Sequence, residues 1–287
     1  MRTAVRILVG LIAGLLSLVG LGWLGFQVKA RSFEDLSTTD NRPHRPIPDG
    51  LPAPLLRHAA LLFPNGLPEV KSAVVQGRAR LAPTGVYLPT RFRFSYDAEQ
   101  IAHYHHIQVT WFSLPFLQIH EMLRDGTTRL DLSFLGTAED QPRINRAALQ
   151  GYWAEVLAWV PAIVLSDERI RWEGVDEHTA RLIIPELDEE EAFTVRFDPE
   201  TGLLHEIEAL RYQEADNPQR QQWRNRVLEW GEIEGQKLPM LSETQWNDDP
   251  PWAAWQLEQV AINVDVAERF ERFGESLNES SMPIDAR

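Results

Sequence analysis

Between residues 73 and 134, and again between 193 and 266, apolar and polar residues alternate one for one, a pattern that restricts these stretches to β-strands. Ala73, Val75, Gly77, Ala79 and Leu81 oppose Gln76, Arg78 and Arg80, and Phe92, Phe94 and Tyr96 oppose Arg91, Arg93 and Ser95. Ile107, Val109 and Trp111 repeat the pattern, as do Leu130, Leu132 and Phe134, then Phe193, Val195 and Phe197. Later strands are expected over 203–212, 224–234, 240–246 and 255–266. Turn signals punctuate the runs, notably Pro83-Thr84-Gly85, Asp125-Gly126 and the stretch from Asp198 to Gly202. One wet face and short turns imply antiparallel pairing, with about ten to twelve strands in all.

The period changes once. Leu149, Tyr152, Trp153, Val156, Leu157 and Val160 form one apolar stripe at helical spacing, with Asn145 as the expected N-cap and Pro161 as the stop. A long antiparallel sheet rich in inward aromatics should curl, and this helix is the natural filling for its concave side. The expected fold is therefore α+β, mainly antiparallel β: a curved sheet, or half-barrel, packed on one central amphipathic helix.

Ahead of the strands, Ile7–Val28 holds no charged residue. As a helix it would span about 33 Å, slightly more than a bilayer core. The segment predicts a single transmembrane helix at a bacterial inner membrane, with the bulk of the chain on the periplasmic or extracellular side. Arg2 and Arg6 before it and Lys29 and Arg31 after it nearly balance, so charge alone sets no orientation. A cleaved signal is the competing reading, since Val28 and Ala30 occupy the −3 and −1 positions of a potential cleavage site. The expected divisions are an anchor over 1–31, a proline-rich linker over 32–54, a β-rich domain over 55–273 and a disordered tail over 274–287.

Composition narrows function by exclusion. The net charge of −14 disfavours nucleic-acid binding and lying flat on an anionic membrane. With no cysteine there is neither a thiol nucleophile nor a lipoprotein anchor, and no phosphate-binding glycine loop or serine elbow occurs.

Three groups remain. His103 and His105 share a strand face, with His120 or Glu121 available to complete a metal site; the competing reading is a solvated face of titrating histidines. The acidic run 186–191 lacks calcium-loop spacing and reads as a charged hairpin tip. The aromatics are either core filler or the lining of a lipophile pocket. In the pocket reading the lining is Trp111, Tyr152, Trp153, Val156, Trp172, Trp230 and Trp246. No catalytic residue, cofactor or metal is assigned. The partners expected are the membrane, through the N-terminal helix, and a lipid or other lipophilic ligand, with an acidic-faced protein scaffold and a metal-dependent hydrolase as the alternatives.

The stretches LPAPLLRHAALLFP (51–64), GYWAEVLAWVPAIVL (151–165), IRWEGVDEHTARLII (170–184), VRFDPETGL (195–203), PMLSETQW (239–246) and PWAAWQLE (251–258) carry a resemblance. Their order and their Trp and Pro spacing resemble an uncharacterised bacterial family of membrane-anchored proteins with a domain of unknown function. That resemblance implies membership and no activity. The sheet–helix–sheet layout is also similar to the curved half-barrels of bacterial lipoprotein carriers.

Overall fold

The computed structural model describes residues 2–37, 43–83 and 85–271, with side chains at Ile12 and from Gly14 onward. Helix α1 runs Arg2–Gly25. Strands β1 (His44–Arg45) and β2 (Leu67–Pro68) pair around helix α2 (Ala53–Leu62). The first meander is β3 (Ser72–Leu81), β4 (Leu88–Asp97), β5 (Ala102–Trp111), β6 (Leu114–Arg124), β7 (Thr127–Asp131) and β8 (Thr137–Glu139). Helices α3 (Pro142–Trp159) and α4 (Pro161–Ser166) follow. The second meander is β9 (Arg171–Gly174), β10 (Thr179–Ile183), β11 (Phe193–Phe197), β12 (Leu204–Arg211), β13 (Gln221–Ile233), β14 (Gln236–Trp246) and β15 (Ala253–Ile262).

All thirteen strands from β3 to β15 form one antiparallel sheet, in the order β8-β7-β6-β5-β4-β3-β15-β14-β13-β12-β11-β10-β9. The two meanders meet at a single seam, where β3 pairs β15. The chain leaves the sheet at one edge, β8, and re-enters at the other, β9, so α3 and α4 must cross a face. Helix α3 touches β6 and β7 in one meander and β12 and β14 in the other. Eight inter-strand steps separate β7 from β12, about 38 Å if flat, whereas a helix is about 10–12 Å across. The sheet is therefore curved, with α3 on its concave side. This is the mainly antiparallel β architecture, with few helices, that the alternation implies.

Hairpin chemistry matches the register. Asp125-Gly126 and Glu234-Gly235 both take positive φ at their two central positions, the mirror-image turn that suits strand twist. The core is continuous from α2 across α3 and α4 to the concave face, with Tyr96, Phe92, Trp153 and Phe193 fully enclosed.

Several local expectations are corrected. Helix α3 starts at Pro142, whose fixed φ suits the first turn; Asn145 lies inside it, and its Oδ1 accepts the Thr128 N–H at 2.8 Å. Strand β7 stops at Asp131 because Ser133 and Gly136 turn the chain with positive φ, leaving Phe134 73% exposed. Strand β6 was hidden from the alternation, since Leu114, Phe116, Leu117, Ile119, Met122 and Leu123 occupy both of its faces. Residues 32–37 are extended but fastened to the sheet: Gln259 hydrogen-bonds both the N–H and the C=O of Leu36, and Gln76 donates to the Glu34 carbonyl. The proline-rich stretch contributes β1 and the first residues of α2.

Among the described residues no helix is long and apolar enough to cross a membrane. The side chains of the first half of the expected span, through Leu11 and again at Ala13, and the tail over 274–287, lie outside the described residues. The lower end of α1 rests on the β5–β6 tip, where Phe112 N–H donates to the Gly25 carbonyl at 2.8 Å and Phe26 packs edge-on against Phe116.

Candidate functional site

Along α3, the residues Ala147, Gly151, Ala154 and Ala158 recur at spacings of four, three and four, so one flank of the helix carries almost no side-chain volume. That flank faces the concave sheet across a cavity of about 510 Å³. Trp159 from the helix end, Trp223 and Trp246 from β13 and β14, and Trp252 and Trp255 from the seam side supply its aromatic wall. Phe94, Ile107, Leu130 and Ile144 add apolar surface. Two further concavities, one beside Pro43–Arg45 and one between Phe26–Ala30 and Arg78–Arg80, lie outside this sheet–helix space.

The charged lining is His105, Glu121, Glu155 and Arg211, with Tyr212, Gln213, Asn225 and Thr244 as neutral polar neighbours. Strand alternation sends His103 and His105 inward from β5, and the register sets Glu121 of β6 opposite His105. The two imidazoles stack with ring centres 4.0 Å apart and planes 3° from parallel. Glu121 Oε1 lies 3.0 Å from His103 Nε2 and 3.5 Å from His105 Nδ1. From the helix side, Glu155 Oε2 lies 2.9 Å from His105 Nε2 and accepts the Tyr96 hydroxyl at 2.8 Å. Arg211 donates to the Ala147 carbonyl at 2.7 Å and stacks its guanidinium over Trp223 at 4.5 Å.

These contacts set the charges. Burial opposes protonation of His105, but Glu155 and Glu121 outweigh it and raise its pKa to about 9. Burial would lift the Glu121 carboxyl, yet the hydrogen bonds from His103 and His105 hold it well below the usual range, and His105 does the same for Glu155. Burial, together with the charge on His105, lowers His103. Burial lowers Arg211 to about 10. At neutral pH the lining thus carries two carboxylates, one imidazolium and one guanidinium, a balanced set with His103 neutral.

His106 and His120 face the other side of the sheet, stacked at 4.6 Å, with Tyr104 OH 2.7 Å from His120 Nδ1. Glu121 rather than His120 therefore joins the inward pair.

Of the seven residues expected to line a pocket, the cavity wall takes Trp246. Tyr152, Trp153 and Val156 are enclosed in the packed core, Tyr152 edge-on to Tyr96. Trp172 sits on the edge strand β9 opposite Leu182, and Trp230 donates its indole N–H to the Leu204 carbonyl at 3.0 Å. Trp111 lies at the β5–β6 tip, its indole N–H on the Gly22 carbonyl at 2.9 Å. The signal that would have located the cavity is the small-residue repeat from Ala147 to Ala158, which marks where α3 leaves space.

The sequence model described as a family of unknown function, DUF6544, matches residues 42–257. The chain belongs to the DUF6544 family. The match takes in the first meander, α3 and the second meander as far as the middle of β15, and so every residue of the cavity wall. It agrees with the membership implied by the Trp and Pro spacing of the stretches between 51 and 258. No curated protein matches the chain. Among solved structures, this DUF6544 member is similar to a DUF1329 family protein from Desulfovibrio piger, at 8% identity and a TM-score of 0.44, covering 77% of this chain and 97% of that one. It is similar to a putative outer membrane lipoprotein-sorting protein domain from Vibrio parahaemolyticus, at 8% identity and a TM-score of 0.44, covering 72% and 90%. A LolA superfamily protein from Nitrosomonas europaea is similar at 10% identity and a TM-score of 0.42, covering 77% and 97%.

Proposed function

We propose that this DUF6544 protein is a binding protein that takes a lipophilic ligand into the space between its curved sheet and α3, and that α1 holds it at the bacterial inner membrane. The observation that carries the binding role is the cavity itself: about 510 Å³, walled by five tryptophans and kept open by the small residues of α3. That volume falls within the usual range for small-molecule sites, as does a mostly apolar wall with a few convergent polar groups. The balanced charge of the polar lining suits an amphiphile with an uncharged or zwitterionic head. Support for the anchor is the uncharged run Ile7–Val28 together with Trp111, Phe112 and Phe116, aromatic side chains left exposed on the tip beside it.

Lipid extraction tests the reading. The full chain, purified and extracted with organic solvent, should yield a lipophile by mass spectrometry in near-stoichiometric amount. Ala154→Phe and Ala158→Phe, which fill the cavity, should release it while the circular dichroism is unchanged. A wild-type chain that comes out empty and takes up no added fatty acid or phospholipid would end the proposal.

A further inference from the structure

We propose that His103, His105 and Glu121 form a binding site for one divalent transition-metal ion of the zinc class. Two imidazoles and a carboxylate, each offering one donor atom, place those atoms within 4.8 Å of one another. A tetrahedral zinc ion with bonds near 2.1 Å holds its ligand atoms about 3.4 Å apart, and the separations of 3.0 Å and 3.5 Å to Glu121 Oε1 bracket that spacing. The donor atoms are already gathered, and closing on an ion requires one of the two stacked rings to turn out of its partner's plane, since parallel imidazoles cannot both aim a lone pair at one point. The backbone that carries it is fixed, because both histidines stand on a strand hydrogen-bonded on each side.

Glu155 is the second element of the argument. It contacts His105 through Nε2, the nitrogen that faces away from Glu121, and it is fixed in turn by the Tyr96 hydroxyl. A carboxylate behind a histidine is the arrangement that sets the tautomer of a metal ligand; the ion displaces the proton that His105 otherwise carries and leaves Nδ1 as the donor. The nitrogen-rich donor set selects zinc and neighbouring late first-row ions over calcium or magnesium, which take oxygen ligands. Three protein ligands leave a fourth position, and His105 and Glu121 both line the cavity, so that position opens into it. The inference does not rest on the lipophile reading: an ion would bind here in a protein that never takes up lipid.

The test uses the untagged full chain, stripped with a chelator and dialysed against Zn²⁺ or Co²⁺. Elemental analysis should find one equivalent of zinc per chain, and the Co²⁺ form should show the intense visible bands of a tetrahedral site. His103→Ala and Glu121→Gln should each weaken binding by at least tenfold, and Glu155→Gln by about ten- to a hundredfold. His120→Ala and His106→Ala, on the opposite face of the same strands, should bind as wild type does. Near-ultraviolet circular dichroism separates lost ligands from lost fold, and the isosteric Glu121→Gln serves where His103→Ala does not fold. Sub-stoichiometric zinc, a six-coordinate cobalt spectrum, or binding that survives Glu121→Gln would each overturn the proposal.

Discussion

Glu155 on α3 and His105 on β5 meet at 2.9 Å, which ties the crossing helix to the wall of the sheet. Glu155 also accepts the Tyr96 hydroxyl, so one carboxylate serves two strands. Replacing it with leucine leaves the His105 imidazolium to Glu121 alone and strips the buried tyrosine of its acceptor. The expected cost is about 3 kcal/mol, read from the urea midpoint. The double variant His105→Leu with Glu155→Leu should cost less than the sum of the two singles. Strict additivity would show that the two residues are not coupled.

Trp153 and Trp246 look alike in sequence and differ in surroundings. Trp153 is 1% exposed in the packed core, so Trp153→Ala should cost about 3–5 kcal/mol. Trp246 stands against space that is already open. Its truncation enlarges a cavity rather than creating one, and should cost about half as much while reducing ligand retention. Equal losses in thermal melts would contradict the placement of Trp246 in the cavity wall.

Gly77 guards the seam. A Cβ there would lie 2.1 Å from the Gln256 carbonyl oxygen, a backbone atom that can retreat only by parting β3 from β15. Gly77→Ala should therefore destabilise by about 3 kcal/mol, far more than the same change at Gly174 on the edge strand β9, where a Cβ meets nothing nearer than 3.7 Å. Comparable melting temperatures for the two variants would refute this.

His58 is enclosed on α2, its ring 5.2 Å from that of Phe197 and 5.8 Å from that of Trp230. Burial lowers its pKa to about 4, against about 6.5 in the unfolded chain. Above pH 6.5 neither state holds the proton and this group contributes no pH dependence. Between 6.5 and 4 the unfolded chain binds a proton that the folded one refuses, so stability falls as the pH falls, by about 3 kcal/mol in total. His58→Leu should lose that part of the slope, measured as the difference in urea midpoint between pH 7.5 and 4.5. An unchanged slope would show that His58 is not the group responsible.

The curved antiparallel sheet was legible because alternation over β3, β4, β11 and β12 needs no tertiary information. The length of β6 was not, since apolar residues on both of its faces erase the period. The inward pairing of His103 with His105 followed from a period of two, whereas the choice of Glu121 over His120 depended on strand register, which sequence does not print. The expected pocket lining and the cavity wall share Trp246, for a related reason. Large aromatics at helical spacing announce where volume is, and Tyr152, Trp153 and Val156 fill core. A cavity is where volume is missing, and its mark was the smallest residues on α3.

The seam between β3 and β15 has a consequence for how the molecule assembles. It pairs residues 73–81 with residues 253–262, so the sheet cannot be completed until almost the whole chain is available. Each meander is built from neighbouring hairpins and forms by local contacts, while the seam closes a loop of very long sequence separation and should form slowly and last. Phe94 and His105 come from the first meander, and Trp223 and Trp246 from the second. The cavity is thus a late product of folding, and during synthesis the tryptophans of one half wait for the histidines of the other.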